Sequence, residues 1–223
     1  GIPYQSIFAK EVQIGERKIA GSQMKWSVFH DFPAPQLYSV LQEWVFPFIK
    51  GLHGDKESAY AKYMGDAIFK VPTPLMLEKI VTAMDEIYAQ MAQLKKADTR
   101  GDVYEYLLSK LATAGVNGQF RTPRHIIRMM VDMMAPKADD VICDPACGTS
   151  GFLVASSEYL KENRKEEVFF NKQNKEHYMN HMFHGFDMDR TMLRIGAMNM
   201  MTHGVDNPFI EYRDSLSDQN PDR

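Results

Sequence analysis

Between residues 141 and 214 the chain switches hydrophobic period four times. VICD (141–144) is a short apolar run, GFLVASSEYLKEN (151–163) has helical spacing, and MFHGFD (182–187) is apolar again. RTMLRIGAMNMMTHG (190–204) is helical and ends on Gly204, and FIEYRD (209–214) is a third short run. Strand–helix–strand–helix–strand leaves few topologies open. Strands joined by helices pair in parallel through right-handed crossovers, so this stretch predicts the first half of a doubly wound α/β sheet. The polar, charge-mixed segment 161–180 is expected to be a surface insertion between the first helix and the second strand.

The preceding residues read differently. VQIGERKIA (12–20) is a candidate hairpin about Gly15, and DFPAP (31–35) is a loop. LYSVLQEWVF (37–46) has helical spacing and is expected to stop at Pro47; ESAYAKYMGDAIF (57–69) is a weaker helix. At Thr73-Pro74 a capping hydroxyl precedes a proline at the first helical position. Leu77, Ile80, Met84, Ile87, Met91 and Leu94 then form one stripe, expected to pack on its own domain. DVYEYLLSKLATAG (102–115) predicts another helix. Thr122-Pro123 opens a further one, with Ile126, Met130 and Met133 as its buried stripe and Pro136 as its limit. Most of the 16 methionines lie on such stripes, which places them in cores. The reading is a mainly helical domain over residues 1–100, then an α/β domain over 101–223.

Composition removes several classes. A net charge of −3 gives no support for unaided DNA binding, which draws most of its affinity from a basic face. Any nucleic-acid role is expected to lean on a partner. No apolar run approaches the roughly 18–20 residues of a membrane helix. Cys143 and Cys147 lie too close in sequence for a disulfide framework, so a reduced, cytoplasmic protein is expected.

In open α/β sheets the ligand sits beyond the carboxyl ends of the strands. Three acids fall there: Asp144, Asp187 and Asp214. Each alone reads as a loop carboxylate or helix cap; three at successive strand ends point to a ligand. The first turn, DPACGTSG, fails the G-x-G-x-x-G pattern of dinucleotide folds. An acid opening that turn repels a pyrophosphate and suits a cation. S-adenosylmethionine carries an ammonium, a sulfonium and a ribose diol, and the residue types favour it over NAD.

GQFRTPRHIIRMMV, DPACGTSGFL, HGFDMD and YRDSL, in this order and spacing, resemble the cofactor motifs of amino-group DNA adenine methyltransferases. The match is closest to the modification subunit of type I restriction–modification systems and covers about residues 102–217. The resemblance implies a Rossmann-like S-adenosylmethionine-dependent methyltransferase domain, present as the first half of its parallel sheet and preceded by a mainly helical domain. It implies N6-adenine methylation of double-stranded DNA within a complex containing a specificity subunit, a second modification subunit and the restriction subunit. Carried over by position, Gln119, Phe120, Thr122, Pro123 and Arg124 embrace the methionine end of S-adenosyl-L-methionine. Asp144 receives its amino group, Ala146, Gly148, Thr149, Ser150 and Gly151 form the turn beneath it, Asp187 binds the ribose hydroxyls, and Asp214 meets the adenine ring.

One departure stands out. The family's catalytic Asn-Pro-Pro-aromatic clamp is missing, since Asn207-Pro208-Phe209 and Asn220-Pro221-Asp222 both lack the second proline. The expectation is a truncated, catalytically incomplete chain whose parent frame reaches the clamp within roughly 20–40 residues of Arg223. The alternatives are a non-catalytic cofactor-binding or assembly scaffold, or a methyltransferase acting on RNA or protein. His177, His181 and His184 have a spacing that zinc could use, but no cysteine or acid completes a site. Cys147 has no base spaced to activate it and is expected to fill a tight turn.

Overall fold

The computed structural model describes residues 10–51, 59–93 and 122–218, with side chains for 10–51, 61–89 and 122–218. The expected helix 102–115, together with Gln119 and Phe120, lies outside the described residues. The chain divides into two compact units, Gly1–Lys56 with Met64–Ala97, and Glu57–Tyr63 with Asp98–Arg223.

In the first unit β1 (Glu11–Ile14) and β2 (Arg17–Ala20) form the antiparallel hairpin expected around Gly15. Gly15 sits at φ +61°, a conformation that side-chain-bearing residues resist. Helices α1 (Trp26–Phe29), α2 (Ala34–Val40) and α3 (Phe46–Lys50) follow. Pro47 does not stop the helix. A π turn over Leu41–Val45 joins α2 to α3, with the Phe46 N–H reaching back to the Leu41 carbonyl. The wider turn places Pro47 in the first turn of α3, where its missing N–H breaks no bond.

Helix α4 (Ala59–Met64) is shorter than the predicted segment, and Ile68 beyond it is exposed. Helix α5 (Pro74–Gln93) starts as expected, the Thr73 hydroxyl accepting from the Met76 N–H at 3.2 Å. Its stripe is shifted from the predicted one. Leu77 and Val81 join Phe29, Leu37 and Val40 in the core, while Ile80 is 45% exposed. The same face carries Asp85, whose carboxylate accepts from Trp26 Nε1 at 2.5 Å and pairs with His30 Nδ1 at 2.8 Å. Burial pushes the Asp85 carboxyl up, but these two bonds and the His30 charge outweigh it and hold the group below its usual range.

The second unit holds the predicted parallel sheet, β3 (Ile142–Asp144), β4 (Phe183–Asp187) and β5 (Phe209–Tyr212), in the order β3-β4-β5. Helix α6 (Arg124–Met134) precedes it, α7 (Gly151–Asn163) follows β3, and α10 (Arg190–Thr202) joins β4 to β5. Leu153, Leu160, Phe183, Leu193, Met200 and Ile210 share one core between these helices and the sheet. At the start of the unit, the Tyr63 hydroxyl of α4 donates to the Ile210 carbonyl of β5, and Lys62 pairs with Glu211 at 2.7 Å.

Two expectations need correction here. The segment 161–180 is not a mere surface insertion, because it forms α8 (Lys165–Phe169) and α9 (Lys172–Asn180) and sends Val168 and Tyr178 fully into the core. Tyr178 shares a 2.6 Å hydrogen bond with Ser157 of α7. On α6 the buried residues are Ile127 and Val131, while Met129, Met130, Met133 and Met134 are exposed. In IIRMMVDMM each inward position has an apolar neighbour, so two helical phases compete. The compact branched side chains went inward and the methionines outward.

Candidate functional site

Parallel pairing brings all three acids to one end of the sheet, in a staggered row. Asp144 lies opposite Gly185, Asp187 lies opposite Tyr212, and Asp214 comes two residues after β5 ends. The turn between β3 and α7 wraps around the first two. Asp144 Oδ1 accepts from the Ala146 N–H at 3.1 Å. Asp187 accepts from the Gly148 N–H at 2.9 Å through one oxygen and from the Asp189 N–H at 2.9 Å through the other. Asp214 Oδ1 accepts from the Leu216 N–H at 3.0 Å, and the Ser215 hydroxyl reaches the Pro145 carbonyl at 2.6 Å, tying the third strand end to the first turn.

Burial is the main reason the Asp144 carboxyl sits above its usual range; the nearby charge of Asp187 adds to this, while the Ala146 N–H opposes it. A cation placed beside Asp144 would relieve that penalty, and a pyrophosphate would deepen it. Burial likewise pushes the Cys147 thiol up to about 12, with the Asp144 charge adding to it, so the side chain is no thiolate nucleophile. Cys147 fills the turn instead: it is buried, and its N–H binds the Phe186 carbonyl at 2.9 Å.

The turn itself needs special backbone. Gly148 at φ +50° and Ser150 at φ +62° both adopt left-handed conformations. Ser150 is the N-terminal flanking residue of α7, yet no side chain caps that helix. Its first-turn N–H groups and positive dipole end are therefore left without a side-chain acceptor from Ser150, next to the turn that binds Asp144 and Asp187. Thr149 accepts from the Asn199 amide of α10 at 2.9 Å through its carbonyl. Gly151 opens α7, and a β-carbon there would meet Ile127 of α6 at 3.3 Å.

That contact sets the start of α6 beside the start of α7. Thr122, Pro123 and Arg124 are exposed at this entry, and the local geometry differs from expectation. Pro123 occupies the flanking position at φ −57° and ψ 137°, the helix begins at Arg124, and Thr122 does not cap it. The Pro123 carbonyl takes the first bonds, from the N–H groups of Ile126 and Ile127.

Two glycines were not foreseen as part of the site. A β-carbon on Gly185 would lie 2.7 Å from Ile210 and 2.9 Å from Cys147 Sγ; one on Gly196 would lie 2.5 Å from Ser150 Oγ and 3.0 Å from the Gly148 carbonyl. Both let the neighbouring chain approach the turn. Glycine inside an otherwise regular strand or helix was the available signal. The histidines do not converge on a metal: His177 Nε2 meets the Asp140 carbonyl at 2.8 Å and His184 Nε2 the His181 carbonyl at 2.9 Å. No metal-holding group of three or more such residues occurs among the described residues. No helix among them is long and apolar enough to cross a membrane. An open hollow lined by Ala138, Glu166, Glu167, Phe170 and Asn174 lies where the chain enters β3, at the other end of the strands from the acids.

A parallel α/β sheet with helices between its strands and acids at its strand ends defines a Rossmann-like domain. The chain belongs to the N-6 DNA methylase family, whose model matches residues 95–223. It is similar to the type I restriction enzyme EcoEI methylase subunit of Escherichia coli, with 29% identity over 202 residues, covering 80% of this chain and 40% of that protein. It is also similar to the HindI methylase subunit of Haemophilus influenzae, with 32% identity over 117 residues, covering 52% of this chain and 24% of that one. Among solved structures, a modification subunit of a type I restriction enzyme from Vibrio vulnificus YJ016 aligns with a TM-score of 0.58 and 26% identity, over 77% of this chain and 35% of that one. A type I methyltransferase subunit from Streptococcus thermophilus aligns at a TM-score of 0.59 over 90% of this chain and 42% of that one; at 19% identity it shows the fold alone. The chain thus spans less than half the length of each of these relatives.

Proposed function

We propose that this chain carries the cofactor-binding part of an S-adenosylmethionine-dependent DNA adenine-N6 methyltransferase, the modification subunit of a type I restriction–modification system. In this reading residues 1–100 form the helical domain and 101–223 the first half of the catalytic domain. The observation that carries it is the row of Asp144, Asp187 and Asp214 around the uncapped α7, in a chain of the N-6 DNA methylase family.

The residues fit that cofactor. Asp144, short of partners and raised by burial, takes the ammonium. Asp187, held rigid by two backbone donors on different oxygens, keeps lone pairs for the ribose hydroxyls. Asp214 meets the adenine ring, and Ala146, Gly148, Thr149, Ser150 and Gly151 form the floor under the methionine moiety. Thr122, Pro123 and Arg124 close over it from the α6 side, and by position in the family's motif Gln119 and Phe120 take part in the same contact. S-adenosylmethionine supplies an electrophilic methyl group on sulfonium, and this chain binds and orients it. The acceptor clamp is not among these 223 residues. Target adenine recognition, extrusion of the base from the duplex and sequence choice fall to the rest of the complex. That complex contains double-stranded DNA, a specificity subunit, a second modification subunit and the restriction subunit.

The test has two arms. Calorimetric titration of S-adenosylmethionine into the chain is expected to give saturable binding that Asp144→Asn weakens strongly. The full-length subunit with its specificity subunit is expected to transfer labelled methyl to adenine in unmodified plasmid DNA, and not to RNA or ribosomal protein. Binding without transfer to any of these substrates would favour a scaffold.

A further inference from the structure

Helix α6 delivers Thr122–Arg124 to the site, yet its hydrophobic hold on α7 is thin. Only Ile127 and Val131 are buried on it, against Ala155 with Phe152 and Tyr159 beside them, and its four outward methionines are exposed. A polar anchor lies alongside. Arg124 and Arg128, one helical turn apart, reach the two oxygens of Glu158 on α7, Arg124 Nη2 to Oε1 at 3.8 Å and Arg128 Nη2 to Oε2 at 3.5 Å. Glu158 is only 19% exposed, whereas the two arginines are largely in solvent.

A third group faces the same carboxylate from α10. His203 is buried, and its Nε2 lies 3.8 Å from Glu158 Oε1. Its Nδ1 lies 2.8 Å from the Asn199 carbonyl, which can only accept, so Nδ1 carries a proton. Nε2 has no hydrogen-bond partner and points toward Glu158. Lys161, one turn beyond Glu158 on α7, donates to the His203 carbonyl and ties down the end of α10. Glu158 of α7 is therefore approached from α6 by two arginines and from the end of α10 by His203.

We propose that Glu158 is a positioning residue for cofactor binding: its carboxylate, held by Arg124 and Arg128, fixes the start of α6 so that Thr122–Arg124 face the strand-end acids. This deepens the S-adenosylmethionine reading above and rests on it. Glu158 touches no ligand in this scheme; it acts by preorganising the segment that does, and small misplacements of such segments weaken binding steeply.

The experiment is calorimetric titration of S-adenosylmethionine into the wild-type chain and variants, below the melting temperature of each. Glu158→Gln keeps the shape and is expected to weaken binding about tenfold, and Arg128→Gln about threefold. The double variant is expected to bind no worse than Glu158→Gln alone, because both remove one shared interaction. Glu158→Asp is expected to recover part of the loss, and Glu162→Gln, on the exposed face of the same helix, to bind as wild type. Lower melting temperatures with unchanged affinity would overturn the proposal, since a merely structural ion pair behaves so. If Glu158→Gln fails to fold, Arg128→Gln decides, because its side chain is largely in solvent; wild-type affinity there overturns it. A wild-type chain that binds no S-adenosylmethionine overturns the cofactor reading and this inference with it. A binding wild type with indifferent variants overturns the inference alone.

Discussion

The two strand-to-helix turns of the α/β unit share a topology and differ in how they end. From β4 the chain needs only Met188 and Asp189 to enter α10, and the Asp189 carboxylate caps it, accepting from the N–H groups of Thr191 at 2.8 Å and Met192 at 3.3 Å. From β3 it takes six residues, two of them left-handed, and α7 starts without any side-chain cap. One helix N-terminus is satisfied from within the chain, as packing alone would arrange it. The other is left for something else. Glycine takes the first left-handed position freely, but Ser150 is strained at the second, and the cofactor proposed above is the reading that gives this strained, uncapped turn a use.

The comparison breaks most visibly at the acids. On the proposed reading Asp144→Asn removes the charge that meets the cofactor's ammonium, and a charge-assisted hydrogen bond contributes about 1.5–3 kcal/mol, so S-adenosylmethionine affinity is expected to fall roughly ten- to a hundredfold. Calorimetry checks it, and undiminished affinity would remove the open turn from the cofactor site. The next largest effect is filling the space that keeps the turn open. Gly196→Ala drives a β-carbon into Ser150 Oγ and the Gly148 carbonyl, and such overpacking destabilises by about 1–3 kcal/mol. Thermal melting should fall by several degrees, with weaker cofactor binding. At the closed turn Asp189→Ala removes a cap worth about 1 kcal/mol and should leave affinity within about twofold of wild type. Equal losses of affinity at Asp189 and Asp144 would erase the distinction between the turns.

Legibility in the sequence followed the same divide. The strands and their terminal acids were readable because period and punctuation coincide: VIC runs straight into Asp-Pro, and HGFD into Met-Asp. The buried face of α6 was not, because Ile126 and Ile127 stand side by side and packing against Gly151 and Ala155 of α7 decides which one turns inward. Pro47 misled for a related reason. Its cost depends on whether a wider turn precedes it, and no residue between Leu41 and Val45 signals one. Segment 161–180 looked like surface because two anchors, Val168 and Tyr178, are enough to bind a polar pair of helices to the core. Of the proposed site, the placement of the acids at successive strand ends and the small-residue turn between the first strand and helix were legible. The close approaches at Gly185 and Gly196 and the ion pairs of Glu158 were not, since they exist only between elements far apart in sequence.

The smallest expected effect is also the most specific to the open turn. With its carboxyl raised by burial, Asp144 binds a proton more tightly in the folded chain than in the unfolded one. Stability without ligand should therefore decline as pH rises from the ordinary aspartate value through the raised one, because the folded state loses a proton it preferred to keep. S-adenosylmethionine reverses the preference: its ammonium favours the ionised carboxylate, so binding in that window should release a proton and strengthen as pH rises. Other carboxylates titrate there too, so the measurement is the difference between wild type and Asp144→Asn in melting temperature and cofactor affinity across the acid range. The wild type should show the steeper pH dependence in both, with opposite signs. Parallel slopes would mean that Asp144 stays ionised without a cation beside it, and the turn would then be open for reasons of packing alone.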